Sequence, residues 1–235
     1  MTQDINSQMV LPLSLDDNAS FENYFTGDNH ELVHALQHVS RNHLHAVLFF
    51  YGASGYGKSH LLFAFQRSAK QDTVASNYLS LADSRVNPEI LELVDAQAVV
   101  CIDDIHSWAG ESDKETAIFA LFERIKHAGG KLIASAIQPP ESCDFELNDL
   151  VSRLNSGLVY PLHPLTDAQH FDAIKLRANQ RGLRISDDVV KYLLSRSSRD
   201  TSELFQLLDR IDKASLIEKR RITIPFLKSL FVNQS

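Results

Sequence analysis

The sequence predicts an α/β fold: a five-stranded parallel sheet sandwiched by helices, followed by a small C-terminal helical domain. Three observations carry this. From Phe21 onward, short apolar runs alternate with stretches of helical period, as in a parallel sheet covered on both faces. The first apolar run ends in a glycine-rich loop that opens directly into a helical stretch. After Pro164 the strand-like runs stop and only helical periods remain.

Taken in order, residues 1–20 are polar and unpatterned except for Gln8-Met9-Val10-Leu11-Pro12-Leu13, and read as a flexible tail. Glu31 to Val39 sets Leu32, Val33, Ala35, Leu36 and Val39 on one helical face. Ala46 to Tyr51 is a continuous apolar run ending at Gly52, a buried strand. A helix follows from Lys58 to Ala69, then a shorter strand from Asn77 to Leu81. Ala98 to Ile102 is the most apolar strand and runs into two carboxylates. Glu115 to Ala128 is helical and stops at Gly129-Gly130. Lys131 to Ala136 and Leu158 to Leu162 complete about five strands, a common sheet size. Thr166 caps a helix to about Gly182, Ser186 caps a second, and Thr201 caps a third through Ala214. Pro225 opens a short last helix at its first position. The expected division is a tail over 1–20, an α/β domain over 21–163 and a helical domain over 164–235.

Composition narrows the class of function. The chain has 235 residues, 44% hydrophobic and 23% charged, so it is long enough to bury a core without disulfide or metal staples. No apolar run approaches the ~18 residues of a membrane span, and Met1-Thr2-Gln3-Asp4 lacks the basic and apolar regions of a signal peptide. Two cysteines, Cys101 and Cys143, make no framework and suit a reducing compartment. The expectation is a cytoplasmic protein. A net charge of −7 argues against one that coats nucleic acid unaided. The charge is uneven: residues 1–162 hold 10 basic and 21 acidic side chains, residues 163–235 hold 13 and 9. Either the scatter is ordinary solvated surface, or the C-terminal part faces an anion or an acidic partner.

Gly52-Ala53-Ser54-Gly55-Tyr56-Gly57-Lys58-Ser59 fits G-x-x-x-x-G-K-[ST] at every required position. The glycines let backbone N–H groups turn inward around phosphates, Lys58 reaches the outer phosphates, and the Ser59 hydroxyl takes a place on Mg²⁺. The helix that opens at Lys58 adds its positive N-terminal dipole. Asp103 and Asp104 stand at the end of the most apolar strand, where ligands bind in open α/β sheets. Asp103 is the expected Mg²⁺-side carboxylate and Asp104 the residue that orients the attacking water.

These residues resemble the AAA+ module of the bacterial initiator DnaA. The resemblance rests on Phe21-Glu22-Asn23-Tyr24-Phe25, on the Gly52–Ser59 loop with His60-Leu61-Leu62, and on Cys101-Ile102-Asp103-Asp104-Ile105. Leu150-Val151-Ser152-Arg153-Leu154 and Thr223-Ile224-Pro225-Phe226 extend it. It covers residues 21–235 and stops where DnaA continues into a helix-turn-helix domain. A short tail on such a module is similar to the regulatory-inactivator branch of the family. The resemblance implies ATP or ADP with Mg²⁺ between the α/β core and a helical lid. It implies a nucleotide-binding set of Gly52, Ser54, Gly55, Tyr56, Gly57, Lys58, Ser59 and His60, with Phe21, Tyr24 and Phe25 near the base. It further implies that Arg153 is an arginine finger offered in trans to a neighbour's γ-phosphate, worth ~10³–10⁵ in rate. From the sequence alone, a local salt bridge to Asp149 is an equal alternative for Arg153. The implied partners are DnaA and the DNA polymerase III β sliding clamp, with DNA reached mainly through the clamp, no membrane, and self-association open.

In that branch a Q-x-x-L-P-L-like tail binds the clamp, and Gln8, Met9, Leu11, Pro12 and Leu13 fit. Burying each apolar side chain gives ~1.5–3 kcal/mol, while ordering six residues costs ~1–2 kcal/mol apiece. Such a tail binds weakly alone and gains from a ring with repeated sites.

The chain also departs from the pattern. Ile137 stands where relatives carry an acid in the sensor-one region, leaving Ser135 as the polar side chain of that strand. Ser202 falls where DnaA-like proteins place the sensor-two arginine, with Arg199 three residues away. Asp104 stands where many AAA+ motors have glutamate. These losses imply weak or absent hydrolysis by the chain itself. Three functions compete: a nucleotide-bound negative regulator of replication initiation that stimulates DnaA through Arg153, an autonomous ATPase such as a helicase loader or DnaA-like replication factor, and a non-catalytic adaptor. His30, His34 and His38 read as a solvated polar face, Trp108 as packing or interface. The basic runs Arg177-x-x-x-Arg181-x-x-Arg184 and Lys219-Arg220-Arg221 read either as solvated or as facing phosphates or acids.

Overall fold

The computed structural model describes residues 19–39, 46–196, 201–218 and 220–232. Its centre is a parallel sheet of β1 (Val47–Tyr51), β2 (Ser76–Ser80), β3 (Val99–Asp103), β4 (Lys131–Ala136) and β5 (Leu158–Pro161), in the order β2-β3-β4-β1-β5. Nine α-helices lie among the described residues: α1 (His30–His38), α2 (Lys58–Gln71), α3 (Pro88–Glu92), α4 (Ser112–Ala128), α5 (Asn148–Asn155), α6 (Asp167–Gln180), α7 (Asp187–Arg196), α8 (Thr201–Glu218) and α9 (Ile224–Val232). None is long and apolar enough to cross a membrane.

Successive side chains of a strand point to opposite faces, so a strand buried on both sides must be apolar throughout. β1 meets that requirement. Val47 and Phe49 pack with Ile118, Phe122 and Ile125 of α4 and Leu150 and Leu154 of α5. Leu48 and Phe50 pack with Leu32 and Leu36 of α1 and Leu61, Leu62 and Phe65 of α2. A third cluster, with Ile174, Val190, Leu193, Leu208, Ile211 and Phe226, holds α6 to α9 together. Thr166 caps α6 as expected: its hydroxyl accepts from the Gln169 N–H at 3.2 Å, and its own N–H donates to Gln169 Oε1 at 2.8 Å.

Several local expectations need correction. α4 starts at Ser112, a turn before Glu115, and Ile224 rather than Pro225 begins α9. α3 and α5 were not expected. α5 has only 8 residues, too few to stand out by period or to persist alone. Its spacing of Leu147, Leu150 and Leu154 is nonetheless helical, and Leu150 and Leu154 are buried. Trp108 is core, 2% exposed. Cys101 and Cys143 are buried free thiols, and burial pushes the Cys101 thiol up to about 12, where it is inert at neutral pH.

Candidate functional site

The site begins where β1 hands over to α2. The loop between them turns twice through left-handed backbone, at Gly55 (φ 80°) and Gly57 (φ 95°). The left-handed conformation favours glycine at Gly57, and a Cβ there would also crowd the Tyr24 ring at 3.1 Å. The next residue, Lys58, opens α2 and is buried. Its Nζ donates to the carbonyls of Gly52 at 2.9 Å and Ala53 at 3.3 Å, a position from which it can swing onto an anion. The free N–H groups at the start of α2 add to that preference for negative charge.

Parallel pairing brings three strand ends beside the loop. Asp103, last in β3, accepts at Oδ2 from the Ser59 hydroxyl at 2.5 Å and the Tyr78 hydroxyl at 2.9 Å. At Oδ1 it accepts from the Ser135 hydroxyl and from the Asp104 N–H at 3.2 Å. Ser135 Oγ also accepts the Asp104 N–H at 3.1 Å. Because the Ser59 O–H is donated to Asp103, its oxygen lone pairs are left for a cation. A hydroxyl and a carboxylate are hard oxygen donors suited to Mg²⁺, which keeps most of its waters and needs few protein ligands. Ser59 and Asp103 therefore fit that ion.

Asp104 sits in left-handed backbone (φ 52°, ψ 45°). Burial, and then the neighbouring Asp103, hold its carboxyl above the usual range. Burial and Asp103 push the Tyr78 phenol up, which keeps it a donor. Burial pushes His106 down, which favours a neutral ring, and among the described residues its Nδ1 has no hydrogen-bond partner.

A cleft of about 440 Å³ opens above these groups. Ser54 to His60, Tyr24, Phe25, Phe63 and Asp104 line it from the sheet side. His163 and Leu165 line the rim, and Arg177, Glu203, Phe205, Gln206 and Asp209 come from α6 and α8. His60 packs against Tyr24 with ring centroids 5.5 Å apart. The cleft does not take in every residue expected of it. Phe21 packs against the α1–α2 core instead of the cleft, and Gly52 lies beneath the loop, offering only its carbonyl to Lys58. Asp103 and Ser135 stand behind Ser59 and Asp104 rather than on the cleft wall. Gln8, Met9, Leu11, Pro12, Leu13 and Arg199 lie outside the described residues, as does the side chain of Ser202.

Arg153, on α5, lines no part of the cleft. Its side chain is 39% exposed, its Nε lies 3.1 Å from Glu123 Oε1 on α4, and its guanidinium sits 5.9 Å from the Phe122 ring centroid. The local ion pair is thus with Glu123, not Asp149. That carboxylate oxygen receives no aligned hydrogen bond, so the contact is one of charge alone. Tyr78, Phe63, His106 and Arg177 join the site without having been assigned to it from the sequence. Tyr78 was visible only as a strand aromatic, and Arg177 only as part of a basic run whose role was left open.

Two family models match the chain: the bacterial DnaA ATPase domain over residues 15–161 and the Hda lid domain over residues 167–231. Among solved structures it is similar to domain III of the replication initiation protein DnaA from Thermotoga maritima. That match has a TM-score of 0.76 and 22% identity, covering 92% of this chain and 98% of that one. AMPPCP-bound DnaA from Aquifex aeolicus matches with TM-score 0.70 and 23% identity over 84% of this chain and 66% of that one. The RuvB Holliday junction branch migration motor of Thermotoga maritima matches with TM-score 0.64 and 20% identity, over 87% and 67%. At these identities the structures establish the AAA+ fold: a parallel sheet, its flanking helices and a helical region beyond.

Proposed function

Because the chain belongs to the bacterial DnaA ATPase-domain family, we propose that it is a nucleotide-bound negative regulator of DNA replication initiation. In this reading residues 21–163 hold ATP or ADP, residues 164–235 close over it as a lid, and residues 1–20 tether the protein. Gln8, Met9, Leu11, Pro12 and Leu13 dock on the DNA polymerase III β sliding clamp, which brings the protein to DNA in the cytoplasm. Seated there, it meets ATP-bound DnaA and supplies Arg153 to the partner's triphosphate.

One observation carries the reading. Arg153 is outside its own chain's cleft, partly exposed, and held by a surface ion pair to Glu123, typically worth under about 1 kcal/mol, and by a contact with the Phe122 ring. A guanidinium so placed is of no use to the nucleotide of its own chain and is cheaply released to a neighbour's. An arginine that meets the charge developing on a transferred phosphoryl group contributes about 10³–10⁵ in rate.

Within the chain's own site, Lys58 and the loop N–H groups neutralise the phosphates. Ser59, with Asp103 behind it, would hold a Mg²⁺ ion whose charge would offset that of the phosphates. Ser59 is held ready for it by Asp103, and Asp103 is held in turn by Tyr78 and Ser135. Asp104 is the sole carboxylate of the pair that faces the cleft. One methylene shorter than glutamate, it reaches less far toward an attacking water and is a weak orienter of it. That fits a site that keeps its nucleotide and activates someone else's. AMPPCP in the DnaA structure of similar fold favours an adenine base.

The test is phosphate release from ATP-bound DnaA on clamp-loaded DNA, with the wild-type protein and with Arg153→Ala. Stimulation lost in Arg153→Ala, with nucleotide binding retained, supports the reading. Full stimulation by Arg153→Ala overturns the finger and leaves an adaptor. Vigorous turnover by the chain alone, abolished by Lys58→Ala, favours an autonomous ATPase instead.

A further inference from the structure

Arg177 on α6 and Arg181, the residue just past its end, lie one turn apart and have opposite surroundings. Arg181 has counter-charges: its Nη1 lies 2.5 Å from Asp209 Oδ1 and 3.8 Å from Asp212 Oδ2, ion pairs without an aligned hydrogen bond at Asp209 Oδ1. Arg177 is 5% exposed, yet among the described residues no carboxylate is within ion-pair distance of it. Its Nε has no hydrogen-bond partner, and its guanidinium lies over the Phe205 ring, 5.3 Å from the centroid. A guanidinium keeps its charge at every accessible pH and carries five N–H donors. Buried without a counter-charge, it is costly, and buried polar groups are nearly always partnered. Arg177 lines the cleft that also holds Lys58 and the N-terminus of α2. The partner it lacks is therefore an anion that enters that cleft.

We propose that Arg177 binds the phosphate chain of the nucleotide from the lid side, so that the ligand bridges α2 and α6. This rests on the nucleotide reading above and adds a residue to it. The Phe205 ring fixes the plane of the guanidinium before the ligand arrives. Of the side chains that α6 and α8 give to the cleft lining, Arg177 is the cation, beside the carboxylates of Glu203 and Asp209. Arg177 thus makes closure of α6 and α8 dependent on how many phosphates the ligand carries.

The experiment compares Mg-ADP and adenosine binding to the wild-type chain and to Arg177→Met by calorimetry, with Lys58→Ala as reference. Methionine keeps an apolar stem on Phe205 and removes the unpaired charge. ADP affinity is expected to fall about 10- to 100-fold, the range for a hydrogen bond to a charged group, while adenosine affinity stays unchanged. The melting temperature of the ligand-free variant should match or exceed that of wild type, which loss of a purely structural arginine would not produce. ADP affinity within twofold of wild type, or an equal loss for adenosine, overturns the assignment. If Arg177→Met fails to fold, amide exchange of the wild-type protein decides. ADP should slow exchange in α6 where saturating adenosine does not, and equal protection overturns it. A wild-type chain that binds no ADP sinks the nucleotide reading itself, whereas ADP binding that needs Lys58 but not Arg177 sinks this inference alone.

Discussion

Asp103 has both carboxylate oxygens engaged, one by Ser59 and Tyr78, the other by Ser135 and the Asp104 N–H, so it acts as an organiser of the site. Asp104 is left as the half-buried member of an acidic pair that faces the cleft, with its folded pKa raised by burial and by Asp103. A raised carboxyl pKa means that ionising the group costs native stability. The penalty is present above the folded pKa and is lost as pH falls through it. Asp104→Asn should therefore raise the melting temperature by a few degrees at neutral pH, with the difference from wild type closing in acid, as read by thermal unfolding across pH. Asparagine also accepts the left-handed backbone at this position. A variant no more stable than wild type at pH 7 would contradict the assigned repulsion. The loop, Lys58, Ser59 and the acidic pair were legible in the sequence because their chemistry is local: each sits at a fixed offset from a glycine or a strand end. Tyr78 reaches Asp103 across 25 residues and Arg177 reaches the cleft from another part of the chain. Neither contact leaves a mark in spacing.

At the scale of elements, α5 is positioned from below by Glu115. This carboxylate is wholly buried on α4 and accepts the N–H groups of Gly110 at 2.7 Å, Glu146 at 3.1 Å and Leu147 at 2.7 Å. It thereby ties the segment after β3, which follows the acidic pair, to the start of the helix that carries Arg153. Sequence periodicity placed Glu115 at a helix start, in the first turn, where acids are ordinary; nothing in it distinguishes a solvated glutamate from one that satisfies three backbone donors. Glu115→Ala should cost about 3 kcal/mol, since it leaves several buried donors unpaired, and urea unfolding measures it. A loss under about 0.5 kcal/mol would show those donors to be solvated. The strands themselves were readable to within a residue or two from apolar runs. Their order in the sheet was not, because the apolar runs of β1, β3 and β4 suit any central place, although the polar residues of β2 suit the edge it occupies.

For the whole molecule, the cleft joins two bodies of unlike charge, an acidic sheet portion and a helical portion with a basic excess. A ligand that binds only the folded chain stabilises it by about 2.7 kcal/mol at one hundred times its Kd. ADP should accordingly raise the melting temperature of the wild-type protein, and Lys58→Ala should abolish that rise without altering the ligand-free transition greatly. An equal ADP-induced rise in Lys58→Ala would place the nucleotide elsewhere. The central claim is that the arginine on α5 serves a triphosphate held by another molecule. The most direct measurement loads DnaA with γ-labelled ATP and this chain with unlabelled nucleotide, combines them on clamp-loaded DNA, and follows the label. The account predicts labelled phosphate released several orders of magnitude faster than from DnaA alone, and a return to the DnaA-alone rate with Arg153→Ala. Label that stays on DnaA while unlabelled phosphate appears from this chain would contradict it.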